Sequence, residues 1–279
     1  EKSDQHKKII TGIVIALPLL LVFLALFVSA DSEFKNWLSR IPDFLNASLI
    51  WRISRTILIG VLVSGLLYEV VSLSHKHSLR NIIVEKFDST IVSTLLGALN
   101  ALFIFFVVFQ FKYLFGSYNY VLKNSMVFSE YAKKGFGQMI FVSCLAFIIL
   151  IVVYRSFSHH GHTLAVRFLG VLFMLQNIVI AISAWRRMEL YEQAYGLTTQ
   201  RLYSEWFMYF IGVLLVVSLV FLLADWKFHG FVQTSLALGV IALAVVSSVN
   251  IDYVIAKANL SLFPETDKRW DVHYLINDL

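Results

Sequence analysis

Seven apolar runs, each near 20 residues long, leave this chain few choices of solvent. A helix rises about 1.5 Å per residue, so roughly 20 apolar residues cross a hydrocarbon core about 30 Å thick. The runs cover approximately 9–30, 53–74, 90–111, 138–154, 163–184, 206–224 and 231–249. Inside lipid every backbone N–H and C=O must find its partner within the protein, and runs of this length do so as helices. The expected fold is all-α: a polytopic transmembrane helix bundle of about seven spans, forming a single transmembrane domain over 1–279, with 250–279 as a juxtamembrane segment. The chain opens without an initiator Met and stops in a segment that reads as folded, so an excerpt of a longer chain is expected.

Composition agrees with a membrane solvent. The 279 residues are 58% hydrophobic and 15% charged, with a mean hydropathy of +0.75; soluble domains are about a quarter charged. The net charge of +5 raises the question of nucleic acid. The basic residues lie in short loops between apolar runs and form no continuous stripe, so they read as membrane-flanking charges, and no nucleic-acid partner is expected. Trp51, Trp185, Trp206 and Trp226 fall at expected span ends, where an indole keeps its ring in lipid and its N–H wet. One cysteine, Cys144, permits neither an intrachain disulfide nor a cysteine metal cluster.

Two segments outside the spans carry helical patterns. Over 118–134, Tyr118, Val121, Leu122, Ser125, Phe128 and Ala132 share one face while Lys123, Glu130 and Lys134 share the other, which predicts an interfacial amphipathic helix. Gly135 and Gly137 are expected to bend it into the fourth span. Ser93, Gly97 and Ala101, four residues apart on the third span, predict a helix-packing seam of small side chains. The fifth span has no helix breaker before Gly196, so it is expected to run to Tyr195. Gly196 then ends it in a left-handed conformation, and Thr198 or Thr199 caps the next helix. The result is a protruding helical hairpin. With seven spans it falls on the side richer in Lys and Arg, which places it in the cytoplasm.

That hairpin holds the densest charge: Arg186, Arg187, Glu189, Glu192, Arg201 and Glu205. Two readings compete for it. The charges form a coupling surface, for a protein partner, a second copy or a gate between spans, or they are a solvated, self-paired arm whose exposed pairs each contribute under about 1 kcal/mol. His75, His77, His159, His160 and His162 are candidate metal ligands, because imidazole binds Zn²⁺ and titrates near neutral pH. Their spacing is not that of a metalloprotease helix, and histidine-rich polar loops are the simpler reading. Glu130, Asn250 and Asp252, with Lys257 and Asn259 nearby, are candidates for a polar vestibule, or for helix capping and lipid contact. The chain has no Gly-rich phosphate loop, nucleophile elbow, His-Glu-x-x-His or Cys-x-x-Cys. An ordinary soluble-type enzyme is thereby disfavoured, and no cofactor is expected.

RRMELYEQAYGLTTQRLYSEWF at 186–207 resembles a region of the bacterial membrane proteins catalogued as domain of unknown function 4173. FSEYAKKGF at 128–136, NIDYVIAKANL at 250–260 and DVHYLINDL at 271–279 are similar to that family in the same order. The resemblance spans about 110–279. It implies a multi-pass protein of the bacterial inner membrane and carries over no catalytic residue. The expected function is a non-enzymatic scaffold or sensor subunit acting through 185–206, with a transporter and an intramembrane enzyme as alternatives.

Overall fold

The computed structural model describes residues 2–38, 52, 56, 60, 88–115, 128–157, 164–224 and 228–262. Their secondary structure is helical: α1 (Lys2–Ala30), α2 (Ser32–Leu38), α3 (Ser89–Phe115), α4 (Phe128–Phe157), α5 (Leu164–Tyr195), α6 (Thr199–Ala224), α7 (Phe228–Ser248) and α8 (Ile251–Leu262). Five of these, α1, α3, α5, α6 and α7, contain stretches long and apolar enough to cross a membrane, and α4 carries a shorter apolar stretch, Gly137–Val153. The chain is a multi-pass membrane protein. The expected span at 53–74 lies outside the described residues, apart from single helical positions such as Gly60.

Side-chain contacts set the helix directions. α1, α3 and α5 run parallel. Lys8 meets Asp88 at one end of α1, Phe23 meets Phe103 midway, and Asp31 meets both Gln110 and Arg187 at the other end. α4 and α6 run the opposite way: Gln138 of α4 donates to Ser29 of α1, and Arg167 of α5 donates to the Leu223 carbonyl of α6. α5 is the central helix, packed against α3, α4 and α6. α7 rests on α6 through Phe231 and Phe221, and its far half is open, with Leu236, Val240 and Leu243 exposed.

In lipid the hydrophobic effect gives little preference for helix over lipid tail, so close packing and polar contacts decide which faces meet. Among the described glycines the tightest approach is at Gly12. A Cβ there would sit 2.8 Å from the Thr94 Cβ and 2.9 Å from the Ile91 carbonyl oxygen, so glycine lets α1 lie against α3. The expected seam at Ser93, Gly97 and Ala101 is corrected by this contact: space around Gly97 is open and Ala101 is exposed, because that face of α3 looks away from α1. Further along, Phe27 stacks on Phe106 with centroids 3.8 Å apart, and Phe103 meets Phe27 edge-on at 5.0 Å. α2 folds back over this cluster, setting Phe34 against Phe106 and Phe109.

The bend expected at Gly135 and Gly137 is also corrected. α4 is one unbroken helix through both, since an interior glycine costs a helix only about 1 kcal/mol and the apolar run beyond it carries the helix on. Residues 118–127 of the expected interfacial helix lie outside the described residues.

Candidate functional site

The chain turns sharply after α1, and one residue manages the turn. Asp31 separates α1 from α2 and caps the latter: its Oδ1 accepts the Phe34 N–H at 2.9 Å. An aspartate suits that place because its carboxylate meets the free N–H groups of the new helix. Its second oxygen, Oδ2, is turned into the bundle, and the side chain is fully buried.

Arg187 comes to it from α5. One Nη2 hydrogen bond reaches Asp31 Oδ2 at 3.0 Å and another reaches Gln110 Oε1 at 2.9 Å, while Nη1 donates to the Ala30 carbonyl at 3.2 Å. Gln110 Nε2 closes the ring by donating to Asp31 Oδ2 at 3.3 Å, and the Ser183 hydroxyl donates to Gln110 Oε1 at 2.8 Å. Gln110 and Ser183 are fully buried, and Arg187 is 2% exposed. Three helices and the α1–α2 corner thus meet on one desolvated ion pair, within the stretch of α5 apolar enough to span a membrane. A charge so placed is costly unless paired and hydrogen-bonded, and here both conditions are met.

A second polar layer lies about 16 Å further along α5, at 1.5 Å per residue. Asn100 Nδ2 donates to the Leu96 carbonyl of its own helix and, at 3.0 Å, to the Leu169 carbonyl of α5. Gln176 Nε2 donates to Asn100 Oδ1 at 3.0 Å, and Asn177 Nδ2 donates to the Phe173 carbonyl. All three amides are buried, and Gln176 Oε1 and Asn177 Oδ1 have no hydrogen-bond donor among the described residues. Gln176, Asn177, Ile180, Ser183 and Arg187 share one face of α5, since helical neighbours recur at three and four residues. That face is the one turned to α1 and α3.

The six charged residues expected to form one surface therefore part company. Arg187 is corrected outright: it lies in the core because α5 continues unbroken and position 187 falls on its inward face. Arg186 stays outside and pairs with Glu189, one turn along the same helix. Arg201 turns back on the end of α5, donating to the Tyr195 and Gly196 carbonyls and to the Tyr191 hydroxyl, with its guanidinium 4.1 Å from the Tyr191 ring centroid. It satisfies carbonyls that the helix end leaves open. Glu192 is half-buried, with Oε1 enclosed and lacking a donor among the described residues. Glu205 accepts from the Tyr209 hydroxyl at 2.9 Å, and that hydroxyl accepts from Trp185 Nε1 at 3.1 Å.

The turn itself is held from outside. Gly196 has φ 74°, the left-handed conformation that a side chain resists, and its N–H bonds the Glu192 carbonyl at 2.7 Å. α8 packs over it: Asn259 Oδ1 accepts the Leu197 N–H at 2.6 Å and Asn259 Nδ2 donates to the Leu197 carbonyl at 2.9 Å. Ile255 packs with Leu197 and Leu202 beneath. The α5–α6 turn is thus not free-standing.

Asn250 caps α8 by accepting the Tyr253 N–H at 3.0 Å, and Asp252 is exposed in the first turn. Lys257 lies 5.9 Å from the Tyr253 ring centroid. Glu130 sits near the start of α4, and its side chain lies outside the described residues. So do His75, His77, His159, His160 and His162. Among the described residues no group of three or more His, Cys, Asp or Glu could hold a metal ion.

Asp31, Asn100, Gln110, Gln176, Asn177 and Ser183 were absent from the expected sites. Their signal is an amide or a carboxylate inside, or at the end of, an otherwise apolar run, where burial makes every polar group costly.

No curated protein and no solved structure matches the chain. The resemblance to domain of unknown function 4173, carried by short stretches in the second half, is corrected by a family model of a different description that matches all of residues 1–279. The chain belongs to the family described as Domain of unknown function (DUF4153).

Proposed function

We propose that the protein is a non-enzymatic membrane scaffold or sensor subunit that presents the α5–α6 turn to a protein partner or a second copy of itself. The observation that carries this reading is the closure of the Asp31–Arg187 ring. The guanidinium is bonded to a carboxylate and a carbonyl of the α1–α2 corner and to an amide of α3, so it fastens the bundle together. Arg201 and Asn259 add rigidity at the turn, leaving Gln193, Tyr195, Gln200 and Tyr203 exposed around it. A partner surface needs few ordered aromatic anchors, and two tyrosines on a fixed turn supply them at low entropic cost.

Photo-crosslinkers placed at Gln193 and Tyr203 in native membranes test this. A discrete protein or homodimer adduct is expected from both positions; adducts with lipid alone from both would overturn the reading.

Transport is a second reading, and one observation favours it. Gln176 Oε1 and Asn177 Oδ1 are enclosed acceptors without donors, lying midway along the spans. Proteoliposomes showing cation or proton flux that Asn177→Leu abolishes would replace the scaffold reading with this one.

A further inference from the structure

An elongated groove of about 480 Å³ runs between α5 and α6, on the side of the bundle away from Asp31 and Arg187. Its volume falls in the range of roughly 300–1,000 Å³ common to small-molecule sites. Ile182, Val213 and Val216 line it and are 47%, 46% and 49% exposed, so it opens toward lipid and not into the helix core. Gly212 forms part of the wall, and a Cβ there meets nothing within 4 Å. One end is polar. Trp185 and Tyr209 line the groove there, and their hydrogen bonds lead from the indole through the phenol to the Glu205 carboxylate. Glu205, Tyr209 and Gly212 follow one another at four and three residues on a single face of α6, so the carboxylate stands at the mouth.

The charges around that mouth are unequal. Arg186 is taken by Glu189, and Arg201 is turned onto the end of α5. Among the described residues no Lys or Arg pairs with Glu205. An apolar trough ending in tryptophan, tyrosine and an anion at a span end has the polarity of a lipid inverted in charge. We propose that this groove binds one acyl chain of a membrane lipid whose headgroup carries a primary ammonium, with the chain along Gly212 and Val216 and the ammonium donating to Glu205. A trimethylated ammonium has no N–H to donate, and a glycerol headgroup brings no positive charge, so both should be discriminated against. Occupancy here is independent of whether the α5–α6 turn engages a partner.

The test uses the whole chain reconstituted in bilayers with photoactivatable lipids that share a tail-borne diazirine and differ only in headgroup: ethanolamine, choline or glycerol. The ethanolamine lipid should label 178–185 and 208–217 roughly tenfold more than the other two, as one charge-assisted hydrogen bond implies. Gly212→Phe should fill the groove and remove that labelling. Glu205→Gln should keep tail labelling but erase the headgroup preference. Equal labelling by all three headgroups, or a preference for choline or glycerol, would overturn the proposal. So would labelling indifferent to Gly212→Phe in a protein that melts like the parent. If Gly212→Phe fails to fold, Glu205→Gln, a change at a partly exposed position, decides alone.

Discussion

Among the described residues two ion pairs tie α1 to its neighbours, and they differ in everything but kind. Lys8 and Asp88 approach to 2.6 Å at one end of the helix, and Asp31 and Arg187 approach to 3.0 Å at the other. Distance alone would rank the first pair higher. Its side chains are 45% and 32% exposed, however, against 0% for Asp31 and 3% for Arg187. Water competes for the exposed charges and salt screens them, so that pair adds little that the packing of Gly12 on α3 does not already provide. The buried pair has no such alternative. Making it roughly balances desolvation against attraction, but breaking it strands a bare charge in a medium that cannot solvate it. The exposed pair decorates a contact, whereas the buried pair specifies which helices can be neighbours.

The largest effect should come from Arg187→Leu, which takes the guanidinium away from the buried Asp31 carboxylate: a loss of about 3–5 kcal/mol in unfolding measured in bicelles or mild detergent. Less than half of that loss would place water inside the bundle and erase the distinction between the two pairs. Removing both charges together, Asp31→Leu with Arg187→Leu, should bring stability back to within about 2 kcal/mol of the parent, the remainder being the lost cap on α2 and the Gln110 Nε2 left without Asp31 as its acceptor. A double variant no better than Arg187→Leu would show that the two residues act separately.

Asn259→Ala examines a tie of intermediate kind, neutral and half-buried. It should cost about 1 kcal/mol and speed amide exchange at Leu197 without touching the Asp31 ring. Lys8→Met should be smallest, a slight lowering of the melting temperature at neutral pH that vanishes in high salt.

The pH dependence carries the same contrast. The Lys8 hydrogen bond, helped by the Thr90 N–H, holds the Asp88 carboxyl below its ordinary value of 3.8. A carboxylate depressed in the fold contributes stability that is fully present above its ordinary value and is lost as pH falls through the lower folded one. Melting profiles of the parent and of Lys8→Met should therefore coincide more closely in acid below 3.8 than at neutral pH.

Among the described residues the sequence declared the helices well and their inward faces poorly, for one reason. Lipid is as apolar as a protein interior, so lipid-facing Ile104 and Val108 look the same in sequence as buried Phe103 and Val107. Small residues misled at Gly97 for that reason: an outward glycine and an inward one such as Gly12 are alike until the neighbour is known. The turn at Gly196 was legible because a left-handed residue is a local, backbone-level demand. The candidate site was half legible. Arg187 drew notice as a charge, yet its face could be read only from Gln176, Asn177 and Ser183, which mark the inner stripe of α5 by being polar where lipid would not tolerate it. Asp31 was harder still, because its partners lie 79 and 156 residues away in the chain and no local pattern encodes them.

That separation sets a clock on how the protein is made. At a synthesis rate of about 5–20 residues per second, Arg187 follows Asp31 into existence by roughly 8–30 s. For that interval the Asp31 carboxylate waits for its guanidinium, held by the cap on α2 and, once α3 has arrived, by Gln110. Its final seating waits for the arrival of α5. α1, made before α3 and α5, is thereby settled only after them, and a stall in translation before residue 187 would leave a half-built bundle exposed to membrane quality control.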